Sequence, residues 1–304
     1  MNISELKEKI GGRNNDGETI LMFLCKYKNI TPEIIYLFRD EIGMQNKNGD
    51  TALMYLSLNP SITTELIKEL KDEIGIQNNI GNTALMYLCD YNKSITLEMI
   101  RELKDEIGLK NHYNDTALTC LCSNCLYITP EMIQELKDEI GIKNNGGETA
   151  LIKLCRYCNW DHVPELIDYL EDEIGTQDEY GNTALMHLFL NCYVNLDLIK
   201  KLKKEITMKN KDGKTALMYL CQYNSLSITS ELICELKDEI GMKDKYENTA
   251  LIYLCQSDEN ISLELIRELK DEIRIKNNKN KYPYDYYMEK NNIDNNITNL
   301  LKYN

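Results

Sequence analysis

The phrase GNTALMYLC, residues 81–89, returns as GDTALMYLS at 49–57 and as GKTALMYLC at 213–221. Its threonine place falls at Thr19, Thr51, Thr83, Thr116, Thr149, Thr183, Thr215 and Thr249, and Tyr282 stands there in an altered ninth copy. Successive copies lie 32 to 34 residues apart. A fixed period of that size, kept along almost the whole chain, is the signature of a stacked repeat array. No interior segment is left over for a second domain.

Each unit reads as two helices. In the first, Thr83 caps the turn it opens, and Leu85, Leu88 and Cys89 fall at i, i+3 and i+4, one apolar stripe. The second runs over ITTELIKELKDEIG, Ile62 to Gly75. Thr31 and Thr129 stand directly before Pro32 and Pro130, a cap followed by proline at the first helical position. Ile62 and Ile67 have the spacing of a hydrophobic staple, repeated as Ile95 with Ile100, Ile128 with Ile133, Ile228 with Ile233 and Ile261 with Ile266. Leu66, Ile67, Leu70 and Ile74 are expected on the buried face, and Gly75 in the left-handed residue that ends the helix. Asn-Gly turn chemistry follows in NNIGN, NKNGD and NKDGK. A pair of helices with single apolar stripes cannot bury them alone, so neighbouring units must share a core.

On the period near 33, the Asx-x-x-Gly-x-Thr lead (Asn78, Gly81, Thr83) and the leucine-rich second helix, the units resemble ankyrin repeats, in a divergent form similar to arrays of protists. The resemblance implies an all-α solenoid of stacked helix-loop-helix units joined by short hairpin-like turns. It implies one domain over 1–304: an N-terminal half-repeat cap at 1–13, eight repeats over 14–276 and a capping repeat at 277–304. Leu6, Ile10 and Gly11 align with Leu70, Ile74 and Gly75, and the final helix runs through Leu300 and Leu301. The family's TPLHxAA pattern appears here as TALMYLC. Its histidine is replaced by Met54, Met86, Met186 and Met218, or by Ile152 and Ile252, and its usual hydrogen bonds with it.

Composition narrows the function. Forty-nine acids against 35 bases give a formal charge of −14, which disfavours nucleic acid and anionic membrane as partners. The opening MNISELKEKIGG has no apolar signal run, and an intracellular site, cytoplasm or nucleus, is expected. No phosphate-binding glycine loop, zinc-protease or serine-hydrolase motif is present, and His112, His162 and His187 fall in different units, so the chain is read as a non-enzyme without cofactors.

Eleven cysteines are read as reduced thiols. Cys25, Cys89, Cys122, Cys155, Cys221 and Cys255 occupy one place in six units, where the family has a small buried alanine, so they read as packing. Equivalent places in stacked repeats are about 10 Å apart, beyond disulfide reach. A zinc set of Cys125, Cys155, Cys158 and His162 is weighed against this column, which favours packing. Trp160 and His162 set the fifth unit apart. The acidic pairs Asp72 and Glu73, Asp105 and Glu106, Asp138 and Glu139, Asp238 and Glu239, Asp271 and Glu272 read as solvated helix ends beside lysines, with a stripe for basic partners as the alternative.

In ankyrin arrays the hairpin tips and first-helix ends line a concave groove that binds protein. Carried over, this marks Ile80, Tyr113, Tyr180 and Tyr246 before the hairpin glycine place, and Tyr27, Tyr91, Tyr157 and Tyr223 after the cysteine column. Asn79, Asn82, Asn182, Asn248, Lys211 and Lys245 would form a polar rim. The expected function is a monomeric scaffold that binds a protein ligand, or an adaptor delivering that ligand to a separate enzyme such as a ligase or kinase.

Overall fold

The computed structural model describes residues 10–27, 30–124, 127–158, 163–191, 196–223, 228–257, 261–290 and 293–303. Among them the secondary structure is entirely helical. Contacts divide the chain into two compact units, Met1–Ala150 and Leu151–Asn304.

In the first unit the short helices are α1 (Ile20–Lys26), α2 (Pro32–Leu37), α3 (Ala52–Ser57), α4 (Thr64–Glu69), α5 (Ala84–Tyr91), α6 (Leu97–Glu102), α7 (Ala117–Asn124) and α8 (Pro130–Glu135). First helices pack on first helices, α1 on α3 on α5 on α7, and second helices do the same, α2 on α4 on α6 on α8. The second unit repeats the scheme with α9 (Ala150–Tyr157), α10 (Val163–Ile167), α11 (Ala184–Leu190), α12 (Leu196–Lys201), α13 (Ala216–Tyr223), α14 (Ser230–Glu235), α15 (Ala250–Gln256), α16 (Leu263–Glu268), α17 (Pro283–Tyr287) and α18 (Asn295–Tyr303). There α11, α13, α15 and α17 form one row, and α10, α12, α14, α16 and α18 the other. In the last helix Ile297 and Leu301 are buried and close that row.

Several helix starts follow the expected chemistry, whereas Thr31 and Thr249 stand at the cap position without a side-chain cap bond. The Thr83 hydroxyl accepts from the Met86 N–H at 3.3 Å, and Thr51, Thr116 and Thr183 do the same three residues on. Both members of the Ile62 and Ile67 staple are buried, as are Leu66 and Leu70. The six cysteines of the column are fully buried, and burial pushes the thiols up at Cys25, Cys89, Cys155, Cys221 and Cys255. They pack as small apolar groups.

The second helix departs from expectation at its end. Its α-helical part stops at Glu69, Leu70 leaves helical geometry at φ −107° and ψ 19°, and Lys71–Glu73 form a separate 3-10 turn. The change of path carries the side chain of Glu73 inward, while Ile74 is only half-buried. Gly75 then takes φ +87°, as the sequence requires.

That turn corrects the reading of the acidic pairs. Asp72, Asp105, Asp138, Asp238 and Asp271 are exposed, but the glutamates beside them are buried, none more than 1% exposed. Each is placed between two repeats. Glu106 accepts from the Leu85 N–H at 2.6 Å, in the first helix of its own repeat, and from the Gly75 N–H at 2.9 Å, at the end of the preceding one. Glu73 does so with Leu53 and Gly43, Glu139 with Leu118 and Gly108, Glu205 with Leu185 and Gly175, and Glu272 with Leu251 and Gly241. Amides orphaned at helix starts and repeat ends thus find a shared acceptor.

Candidate functional site

The hairpins are organised by their first residue. Asn78 Oδ1 accepts from the Ile80 and Asn82 N–H groups, closing the turn. Its Nδ2 donates to Asp50 Oδ1 of the preceding hairpin at 2.8 Å. The same donation runs from Asn111 to Asn82, from Asn144 to Asp115, from Asn210 to Asn182 and from Asn277 to Asn248. Backbone follows the same rule: the His112 N–H donates to the Ile80 carbonyl, Asn145 to Tyr113, Lys211 to Tyr180 and Asn278 to Tyr246. The residue before the hairpin glycine place therefore has its carbonyl turned to the next repeat, leaving its side chain at the tip.

All eight sequence-marked positions are exposed, from 43% at Ile80 and Tyr223 to 65% at Tyr180, with Tyr27, Tyr91, Tyr113, Tyr157 and Tyr246 between. Several are held against a neighbour one helical turn back. Tyr27 lies 4.5 Å from Phe23, Tyr91 6.1 Å from Tyr87, and Tyr223 6.0 Å from Tyr219, measured between ring centres. Others carry a cation: Arg156 stands 5.3 Å from the Tyr157 ring and Lys245 4.9 Å from that of Tyr246. Tyr91 also hydrogen-bonds Asp90, which with burial pushes its phenol up to about 12.

The expected rim divides. Asn79, Lys211 and Lys245 are exposed and Asn82 is half-buried, but Asn182 and Asn248 are buried members of the hairpin ladder. Sequence reading also missed the inner tyrosines. Tyr55, Tyr87, Tyr219 and Tyr286 accept at their hydroxyl from the first asparagine of their own hairpin, at 2.7 to 3.0 Å, and Tyr253 donates to Asp244 at 2.6 Å. The recurrence of tyrosine four residues after the threonine was the available signal.

In the sixth repeat that place belongs to His187, buried and 2.8 Å from Asp178 Oδ2. Burial opposes ionisation of Asp178, but hydrogen bonds from His187 and the Asn182 N–H outweigh it and hold the carboxyl below its usual range. The pair has the look of a catalytic dyad, yet it stands in for the tyrosine-to-hairpin bond of the other repeats.

Of the zinc set only Cys155 and Cys158 lie among the described residues. Cys155 is a buried column thiol, and no described group of three or more His, Cys, Asp or Glu could hold a metal. Cys125, Trp160 and His162 lie outside the described residues. Cys158 corrects the expectation that all thiols are reduced: it is disulfide-bonded, to a partner not among the described residues. It stands past the end of α9 and off the packing column, so the repeat spacing that keeps column sulfurs apart does not govern it.

Residues 188–281 match the family model described as ankyrin repeats, three copies. The fold is similar to the crystal structure of the ankyrin repeat domain of Bcl-3, a member of the IkappaB protein family. The TM-score is 0.51 at 18% identity, over 74% of this chain and 100% of that one, which shows the fold alone. No curated protein matches the sequence. No described helix is long and apolar enough to cross a membrane.

Proposed function

Because the chain is an ankyrin-repeat protein, we propose that it is a non-enzymatic interaction scaffold whose hairpin tips and first-helix ends hold a protein ligand. Ankyrin repeats generally mediate protein–protein interaction, and the observation that supports a site here is the row of exposed aromatic side chains at Tyr27, Tyr91, Tyr113, Tyr157, Tyr180, Tyr223 and Tyr246, joined by Ile80. A tyrosine held at its backbone buries much area on binding while losing little rotamer freedom. The charge of −14 favours a protein partner over nucleic acid, and the scaffold acts as a monomer in the cytoplasm or nucleus. No observation favours the adaptor reading, in which a second chain would supply the enzyme.

The test is a triple replacement, Tyr113→Ala, Tyr180→Ala and Tyr246→Ala. These side chains lie outside the core, so the helical signal and melting should be unchanged. Capture of the partner identified by affinity purification from the native cell should fall by at least about tenfold, since each anchor contributes on the order of 1 kcal/mol or more. Undiminished capture would remove these tips from the site.

A further inference from the structure

Two tyrosine pairs of the molecule hold equivalent places and differ in the charges beside them. Tyr87 with Tyr91 and Tyr219 with Tyr223 occupy the same two places of the repeat, with ring centres 6.1 and 6.0 Å apart. In the second pair a cation is built in. Lys214, directly before the threonine of its repeat, places its ammonium 5.5 Å from the Tyr219 ring and 4.4 Å from that of Tyr253, and donates to Gln222 Oε1 at 2.8 Å.

At Tyr87 and Tyr91 the corresponding places are changed one by one. Lys214 is replaced by uncharged Asn82, Gln222 by Asp90, and Asn182 of the preceding hairpin by Asp50. Asp50 Oδ1 lies 3.3 Å from the Tyr87 hydroxyl, and its other donors include the neutral Asn78 amide. Asp90 directly precedes Tyr91, which is 60% exposed. At the first pair an amide holds the place of the lysine, and two carboxylates stand where the second pair has amides.

Ring faces and carboxylates attract the same kind of group, a guanidinium or ammonium. We propose that Tyr87, Tyr91, Asp50 and Asp90 form a receptor for an arginine or lysine side chain in a basic segment of the protein ligand, filling the place that Lys214 fills internally in the seventh repeat. This rests on the interaction-scaffold reading and names the chemistry of the partner it binds.

The full chain is titrated with three fluorescent peptides of equal length, in which glycine and serine separate arginines, glutamines or glutamates. Anisotropy should show binding of the arginine peptide alone. Asp90→Asn and Tyr91→Ala should each weaken it by about tenfold, whereas Tyr223→Ala should change it by less than about twofold. Because Tyr91→Ala leaves the net charge untouched, its effect separates this site from diffuse attraction to an acidic protein. Arginine-peptide binding indifferent to Asp90→Asn and Tyr91→Ala overturns the site. Preference for the glutamate or glutamine peptide, or binding of none of the three, overturns the partner chemistry. Each of those failures leaves the scaffold reading standing, because that is judged by capture with the Tyr113, Tyr180 and Tyr246 replacement.

Discussion

Gly75 and Gly81 share a left-handed backbone, φ +87° and +81°, for different reasons. A Cβ on Gly75 would meet nothing within 4 Å, whereas one on Gly81 would come within 2.8 Å of Asn111 Cα in the next hairpin. Gly75→Ala should therefore cost only the strain of its φ, about 1 kcal/mol, and Gly81→Ala about 2–3 kcal/mol, read as shifts in the urea midpoint at constant slope. Equal losses would show that the hairpins do not depend on that close approach. Thr207 supplies the converse case. It stands in the Gly75 place with φ +73°, is exposed, and donates only its backbone N–H, to Glu239. Thr207→Gly should keep that bond, relieve a β-branched residue of a left-handed conformation, and raise stability by about 1 kcal/mol.

At the level of the element, the buried glutamates decide how one repeat grips the next. Burial raises the carboxyls of Glu73, Glu106, Glu139, Glu205, Glu239 and Glu272 above their ordinary 4.5, although backbone N–H groups and a threonine on each pull the other way. A carboxyl raised in the fold favours folding most when neutral. Its contribution is complete below 4.5 and is lost as pH rises through the raised folded value. Glu106→Gln removes the titration and sets an amide NH2 against one of the two N–H donors, a cost of about 1–3 kcal/mol. Urea midpoints at pH 5 and pH 8 should thus fall more steeply with rising pH in the parent than in Glu106→Gln. Parallel pH profiles would show that Glu106 does not titrate between them. Asp178, with its carboxyl held low, acts in the opposite sense, and its stability contribution is lost as pH falls through the depressed value.

Across the whole molecule, one periodic pattern serves two purposes. The residues that repeat build the shared core, and those that vary around the same backbone are the ones the proposed function assigns to the partner. The eight positions marked for a partner are all exposed because stacking fixes the residues on either side of them. Tyr87 and Tyr219 hold the same place and the same bond to a hairpin asparagine, yet the place before the threonine is uncharged Asn82 beside the first and Lys214 beside the second, and Asp50 bonds the first where neutral Asn182 bonds the second. The proposed partner chemistry is therefore a property of single columns read repeat by repeat, and not of the array's net charge alone.

The period, the threonine caps, the isoleucine staples, the cysteine column and the left-handed Gly75 were all legible in the sequence, because each depends on residues within one unit or on strict recurrence. Which acid of an Asp-Glu pair enters the core was not. Both recur with the same period and carry the same charge, and only the turn at Leu70 sends Glu73 inward and Asp72 out. The joining of Asn78 to Asp50, of Tyr55 to Glu18 37 residues away, and of His187 to Asp178 likewise waits on the stack, since hydrogen bonds need angstrom-scale approach between groups whose separation along the chain says nothing of it. Sequence alone determined that repeats must stack. Tertiary structure decided which polar groups close the gaps between them, and so which side chains remain outside.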